Sequence, residues 1–152
     1  MPRLYQQARS VFRDQGTNRP RGMNPRRLLN AVSAKLEQRM VRLKPSAWPV
    51  TALIEPTNIC NLRCPLCPTG EKRPGRKKGM MEWAVFQKLV DELGPCLWDV
   101  ELDNWGESLL HEQLPEMIAY LKRYGIHVAL SSNLVLAKPE ILRNLITSGL
   151  DH

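Results

Sequence analysis

Val50-Thr51-Ala52-Leu53-Ile54-Glu55-Pro56-Thr57-Asn58-Ile59-Cys60-Asn61-Leu62-Arg63-Cys64-Pro65-Leu66-Cys67 runs an apolar stretch straight into three cysteines within eight residues. Val50 to Glu55 reads as a strand, and Pro56 stops it. The loop that follows carries its thiols at C-x3-C-x2-C spacing, which lets one short segment aim three thiolates at a common metal or cluster. Three protein ligands are one short of the usual structural set, and an open position is where a substrate or cofactor can reach the metal directly.

Working outward, the downstream chain repeats a strand–helix unit. Glu82 to Leu93 is expected to be helical, with Phe86, Leu89, Val90 and Leu93 on one face and Gly94-Pro95 as the stop. Trp98 to Leu102 alternates as a second strand. Leu114 to Tyr124 follows as a helix buried through Leu114, Met117, Ile118 and Leu121 and ended by Gly125. Ile126 to Leu130 is the third strand. Pro139 opens a last helix through Ile141, Leu142, Leu145 and Ile146, closed by Gly149. Strands alternating with helices imply a parallel sheet with right-handed crossovers. The first unit is longer than the second because it holds the cysteine loop and a charged tail, Glu71 to Gly79, with five basic residues. Such a run is usually a solvated loop. A chain stopping at His152 would leave the third strand as a poorly covered edge.

Upstream, the texture differs. The net charge of +7 is made of +9 in residues 1–48 and −2 in residues 49–152, so the basic character belongs to the leader. Residues 1–22 suggest a basic arm with a short helix near Tyr5–Phe12. Asn24 then looks like an N-cap with Pro25 at the first helical position. Leu28, Leu29, Val32, Leu36, Met40 and Leu43 recur near a helical period up to Pro45. This basic amphipathic helix is expected to pack on the domain or cap one end of it, with a membrane-surface or nucleic-acid contact as the alternatives. Met1 to Ser10 lacks an apolar signal core, and no run of about 18 apolar residues exists, so a cytoplasmic protein without a spanning helix is expected.

Three polar clusters fall just past the strand ends: the cysteines, Asn104-Trp105-Gly106-Glu107, and Ser131-Ser132-Asn133. In parallel α/β architectures that edge is where ligands bind. Together with Glu55-Pro56-Thr57-Asn58-Ile59 and Pro68-Thr69-Gly70, the cysteine run resembles the signature of the radical S-adenosylmethionine (radical SAM) enzymes. The resemblance covers residues 49–152, the first three βα units of a partial (β/α)6 barrel, preceded by the 1–48 basic helical extension.

The resemblance implies that Cys60, Cys64 and Cys67 hold three irons of a 4Fe–4S cluster. The fourth iron would take the amine and carboxylate of S-adenosylmethionine, whose reductive cleavage gives a 5′-deoxyadenosyl radical that abstracts hydrogen from a substrate. Leu66 would lie near the adenine. Gly106-Glu107 matches the centre of a Gly-Gly-Glu-Pro-like motif that receives the cofactor's amino group. Ser132-Asn133-Leu134 matches Thr-Asn-Gly without its glycine, and Ser132 would hydrogen-bond the carboxylate. The implied partners are an unknown substrate, a flavodoxin- or ferredoxin-type reductant, and a C-terminal half-barrel. Read without the family, the same cysteines also fit a structural zinc completed by Cys96, His111, His127 or His152, or a four-cysteine electron-transfer cluster closed by Cys96. The zinc reading makes the chain a non-enzymatic basic module for nucleic acid or acidic membranes. Cys96 alone reads as a small core residue.

Overall fold

A computed structural model describes residues 24–71, 75 and 77–152. The expected arm and short helix near Tyr5–Phe12, and much of the basic tail after Glu71, lie outside the described residues. Strands β1 (Thr51–Leu53), β2 (Asp99–Glu101) and β3 (His127–Ala129) form a parallel sheet in the order β1-β2-β3. Ala52 stands opposite Val100, and Val100 opposite Val128. The strands are shorter than their apolar runs suggest, although ladder bonds such as Trp98 N–H to Val50 O (2.8 Å) and Leu102 N–H to Ala129 O (2.9 Å) extend the pairing.

Helix α1 (Pro25–Arg39) precedes the sheet; α2 (Trp83–Leu93), α3 (Leu114–Arg123) and α4 (Pro139–Thr147) follow β1, β2 and β3. One sheet face packs on these helices. Val100 and Val128 are fully buried there with Phe86, Val90, Met117, Ile118 and Leu121, as the helical periods require. The other face leaves Leu53 and Glu101 exposed in one row with Ala129. Helix α4 is covered less than its sequence suggests: Leu145 is buried and Ile141 half-buried, but Leu142 and Ile146 are exposed.

The glycine stops act in two ways. Gly125 and Gly149 adopt positive φ after α3 and α4. Gly94 does not; a Cβ there would press on the Tyr124 ring, so close packing of α2 on α3 demands it. The same two helices meet at Asp91, whose carboxylate accepts the hydroxyls of Tyr120 and Tyr124 at 2.6 Å each. Those two bonds hold Asp91 below the usual carboxylate range, and Asp91 pushes Tyr124 up to about 12. Cys96 is a buried core residue at the N-terminal side of β2.

Two expectations are adjusted. β3 remains an edge of the sheet, but not an unpaired one: His152 N–H reaches Val128 O (3.3 Å) and Leu130 N–H reaches His152 O (2.9 Å), the pattern of a single parallel rung. Asp151 reinforces it by accepting Val128 N–H (2.8 Å) and Lys122 Nζ (2.6 Å). The second correction concerns α1, which does not pack through its apolar stripe. Leu28, Leu29, Val32, Leu36 and Met40 are exposed, while Arg27 and Glu37 are buried.

Arg27 donates from Nη2 to Gly94 O (3.1 Å) and Tyr124 O (2.6 Å), and from Nη1 to Gly125 O (3.3 Å), with its guanidinium over the Trp98 ring. It thereby ties α1 to the C-terminal carbonyls of α2 and α3, groups that a helix leaves without internal partners. The helix also ends at Arg39 rather than near Pro45. Val41 takes φ 51°, Arg42 N–H returns to Glu37 O and Val41 N–H to Gln38 O, a Schellman turn with valine where glycine is usual.

Arg27→Ala leaves those carbonyls without their donor and is expected to lower stability by about 2 kcal/mol. Denaturant midpoints, with faster proteolysis within residues 25–39, check this. Glu37 adds an acid dependence. Hydrogen bonds from the Ser46 hydroxyl, then from the Ala47 and Ser46 amides, hold its pKa at about 2, with Arg42 contributing less. A depressed carboxyl stabilises fully above its unfolded value and loses that contribution as pH falls towards about 2. Glu37→Gln should therefore flatten the acid limb of a stability–pH curve and leave its neutral plateau lower.

Candidate functional site

All three polar clusters converge at the C-terminal edge of the sheet. Thr57 and Asn58 position the loop after β1 before it reaches the cysteines. Thr57 is buried and donates to Gly79 O (2.9 Å) while accepting Ile59 N–H (3.1 Å). Asn58 accepts Gly79 N–H and donates to Lys77 O, each at 2.9 Å, so its amide clamps both sides of the loop. Cys60 and Cys67 are half-buried and Cys64 is exposed. Gly70 closes the loop from below, since a Cβ there would collide with the Cys64 backbone.

Gly106 and Glu107 form the centre. A Cβ on Gly106 would lie 3.0 Å from Asn58 Cα and far inside contact of the Thr57 carbonyl, so the β1 and β2 loops touch backbone to backbone. Glu107 N–H donates to Ile59 O at 2.8 Å across the same seam. Its buried carboxylate accepts Leu109 N–H (3.2 Å) from the short 3-10 turn Ser108–Leu110, Ser132 Oγ (2.8 Å) and Asn133 N–H (2.9 Å). Those three donors leave a carboxylate room for a further one. The Ser108 hydroxyl, donating to Leu102 O at 2.6 Å, fixes the turn to the end of β2.

The loop after β3 completes the circuit. Asn133 Nδ2 donates to Asn61 Oδ1 (2.9 Å) and approaches Cys60 Sγ (3.9 Å), while Oδ1 accepts Val135 N–H (3.0 Å). Leu134 has φ 58°, so the glycine expected there would adopt this turn without steric cost. Leu66 also sits at positive φ (69°) and is 87% exposed, offering an apolar surface between Cys64 and Cys67.

The structure therefore brings Cys60, Glu107, Ser132 and Asn133 into one hydrogen-bonded group, with Gly106 as its spacer. Thr57, Asn58, Asn61 and Gly70 were not singled out as separate site residues in the sequence, although all four lie within the quoted strand–loop run or next to it. Glu55, which accepts Trp105 N–H (3.0 Å), and Asp103, which accepts Ser131 N–H, also stitch neighbouring strand ends. Acids closing apolar runs were the available signal.

The alternative fourth ligands are placed elsewhere. Cys96 lies in the core at the opposite edge of the sheet. His127 sits at the start of β3, 3.2 Å from Asp99. His111 is buried, with Nε2 at 3.0 Å from Met81 O and Nδ1 accepting Gln113 N–H. His152 is exposed and pairs with β3 through its main chain. Among the described residues no three His, Cys, Asp or Glu side chains gather around a single ion position.

Gly106→Ala should separate the β1 and β2 loops and cost about 1–3 kcal/mol. Gly79→Ala, where a Cβ meets nothing within 4 Å, should be near neutral. Paired denaturation curves of the two variants check the contrast.

The family model described as Radical SAM superfamily matches residues 54–152. A tungsten-containing aldehyde ferredoxin oxidoreductase cofactor-modifying protein of Pyrococcus furiosus is 30% identical over 100 residues, 64% of this chain and 28% of that protein. A PqqA peptide cyclase of Granulibacter bethesdensis is 28% identical over 106 residues, 68% of this chain and 28% of the cyclase. The crystal structure of BtrN in complex with AdoMet and 2-DOIA superposes with TM-score 0.61 at 20% identity, over 66% of this chain and 42% of that one, a likeness of fold. The chain spans less than a third of the length of these curated relatives. With its three parallel βα units arranged as half of a partial barrel, the chain belongs to the radical SAM superfamily.

Proposed function

We propose that residues 49–152 form the cluster- and cofactor-binding half of a radical SAM enzyme, with residues 1–48 as an appended basic extension. Cys60, Cys64 and Cys67 would hold a 4Fe–4S cluster. Gly106 and Glu107 would receive the amino group of S-adenosylmethionine, Ser132 its carboxylate, and Leu66 would give apolar contact to the adenine. When bound, this pair supplies reductive cleavage of the sulfonium and a radical able to abstract hydrogen from a substrate.

This chain's own residues supply placement. Glu107 holds the loops after β2 and β3 together and keeps acceptor capacity for an ammonium group. Asn133 keeps the first cysteine's loop against them. Thr57 and Asn58 fix the take-off of the cysteine loop, so its thiols stay at the sheet edge. The observation that carries the reading is the Glu107–Ser132–Asn133–Asn61 chain of hydrogen bonds, which joins the cysteine loop to both other strand ends. The cyclase relatives' name makes a peptide the substrate class to test first. A flavodoxin- or ferredoxin-type protein would serve as reductant.

Anaerobic reconstitution with iron and sulfide tests the assignment. The parent and Cys96→Ala should turn brown, and their electron paramagnetic resonance spectrum should change on adding S-adenosylmethionine. Single Cys60→Ala, Cys64→Ala and Cys67→Ala variants should lose the colour. Stoichiometric zinc in protein from iron-replete cells, or loss of the cluster in Cys96→Ala, would overturn the reading.

A further inference from the structure

Helix α1 meets the domain with its polar side and turns its apolar side outward. Arg27, Asn30 and Glu37 make the attachment: Arg27 to the carbonyls of Gly94, Tyr124 and Gly125, Asn30 to both main-chain groups of Trp48 (2.9 and 2.8 Å), and Glu37 to Ser46 and Ala47. These positions are three and seven residues apart, spacings that put them on one face of the helix. Leu28, Leu29, Val32, Leu36 and Met40 fall on the other, between 45% and 67% exposed. Val41 and Leu43 continue the surface at 77% and 94%. Seven exposed apolar side chains along one side of a helix and the turn that ends it mark an interaction site.

We propose that this face docks on an anionic lipid bilayer, with α1 lying in the plane of the interface. Charge selects the occupant. Arg26, Lys35 and Arg39 are exposed on the helix and Lys44 follows it; Arg42, between them, is already paired with Glu37 at 3.1 Å. The helix's one acid, Glu37, is buried on the attached side. Apolar side chains entering the headgroup boundary, flanked by basic side chains reaching phosphates, are the pattern of an interfacial helix. A nucleic-acid face would set polar donors, not leucines and valines, at its centre. An isologous pairing of two copies would set these cations against each other. Since α1 is anchored at the N-terminal edge of β2 and β3, docking leaves the cysteine edge pointing away from the membrane.

The test is sedimentation of the full chain with phosphatidylcholine vesicles, with and without phosphatidylglycerol. Binding should appear with the anionic lipid and weaken as salt rises. Leu29→Ser/Val32→Ser and, separately, Lys35→Glu/Arg39→Glu should each weaken it about tenfold. These side chains are exposed, so both variants should melt and load iron like the parent; failure of the cluster assignment would leave the vesicle result unchanged. Equal partition onto neutral vesicles would overturn the proposal, as would binding that both double variants retain. Two further results point to a different occupant and equally overturn it: a concentration-dependent dimer lost in Leu29→Ser/Val32→Ser without vesicle binding, or retention on duplex nucleic acid instead of lipid.

Discussion

The carboxylate of Glu107 is the constraint on which the site depends. A buried carboxylate must be satisfied by donors from its surroundings, and here the donors come from two different strand ends. Its amide reaches a third, at Ile59. One residue therefore sets the spacing of three loops that the sheet alone only brings near each other. Gly106 makes this possible, because a side chain there would hold the β1 loop off before Glu107 could engage. The cysteine loop inherits its position from that contact.

The order of elements was legible in the sequence, since period and punctuation agree in α2 and α3. Phe86, Val90, Met117, Ile118 and Leu121 are buried where their spacing puts them, and Gly125 ends α3 with the positive φ that its position demands. The convergence of the cysteines, Gly106-Glu107 and Ser132-Asn133 at one edge was also legible, because parallel strands place all such loops on the same side. The hydrogen bonds between them were not. Spacing does not tell that Asn133 pairs with Asn61, or that Thr57 and Asn58 grip Gly79, because those contacts join residues brought together only by folding.

The largest departure is α1. Its apolar period predicts a packing face, yet the buried residues are Arg27 and Glu37. The physical reason lies in what the domain offers at that point: helix ends rich in bare carbonyls, and a loop whose amides at Ser46 and Ala47 face the helix. A guanidinium satisfies the first and a carboxylate the second, and leucine satisfies neither. Leu134 shows the converse, where a family glycine is replaced but its left-handed backbone persists.

The capping of two helices by Arg27 has an electrical consequence. Parallel strands followed by returning helices align the peptide dipoles of α2, α3 and α4, with their positive ends towards the cysteine edge and their negative ends towards the opposite one. Arg27 places a fixed cation against the negative ends of α2 and α3. The domain is therefore polarised along its strands. Its negative pole is offset at two of its three helix ends by a buried side chain, and its positive pole is left to face the cysteine thiols, a carboxylate and whatever anion arrives there.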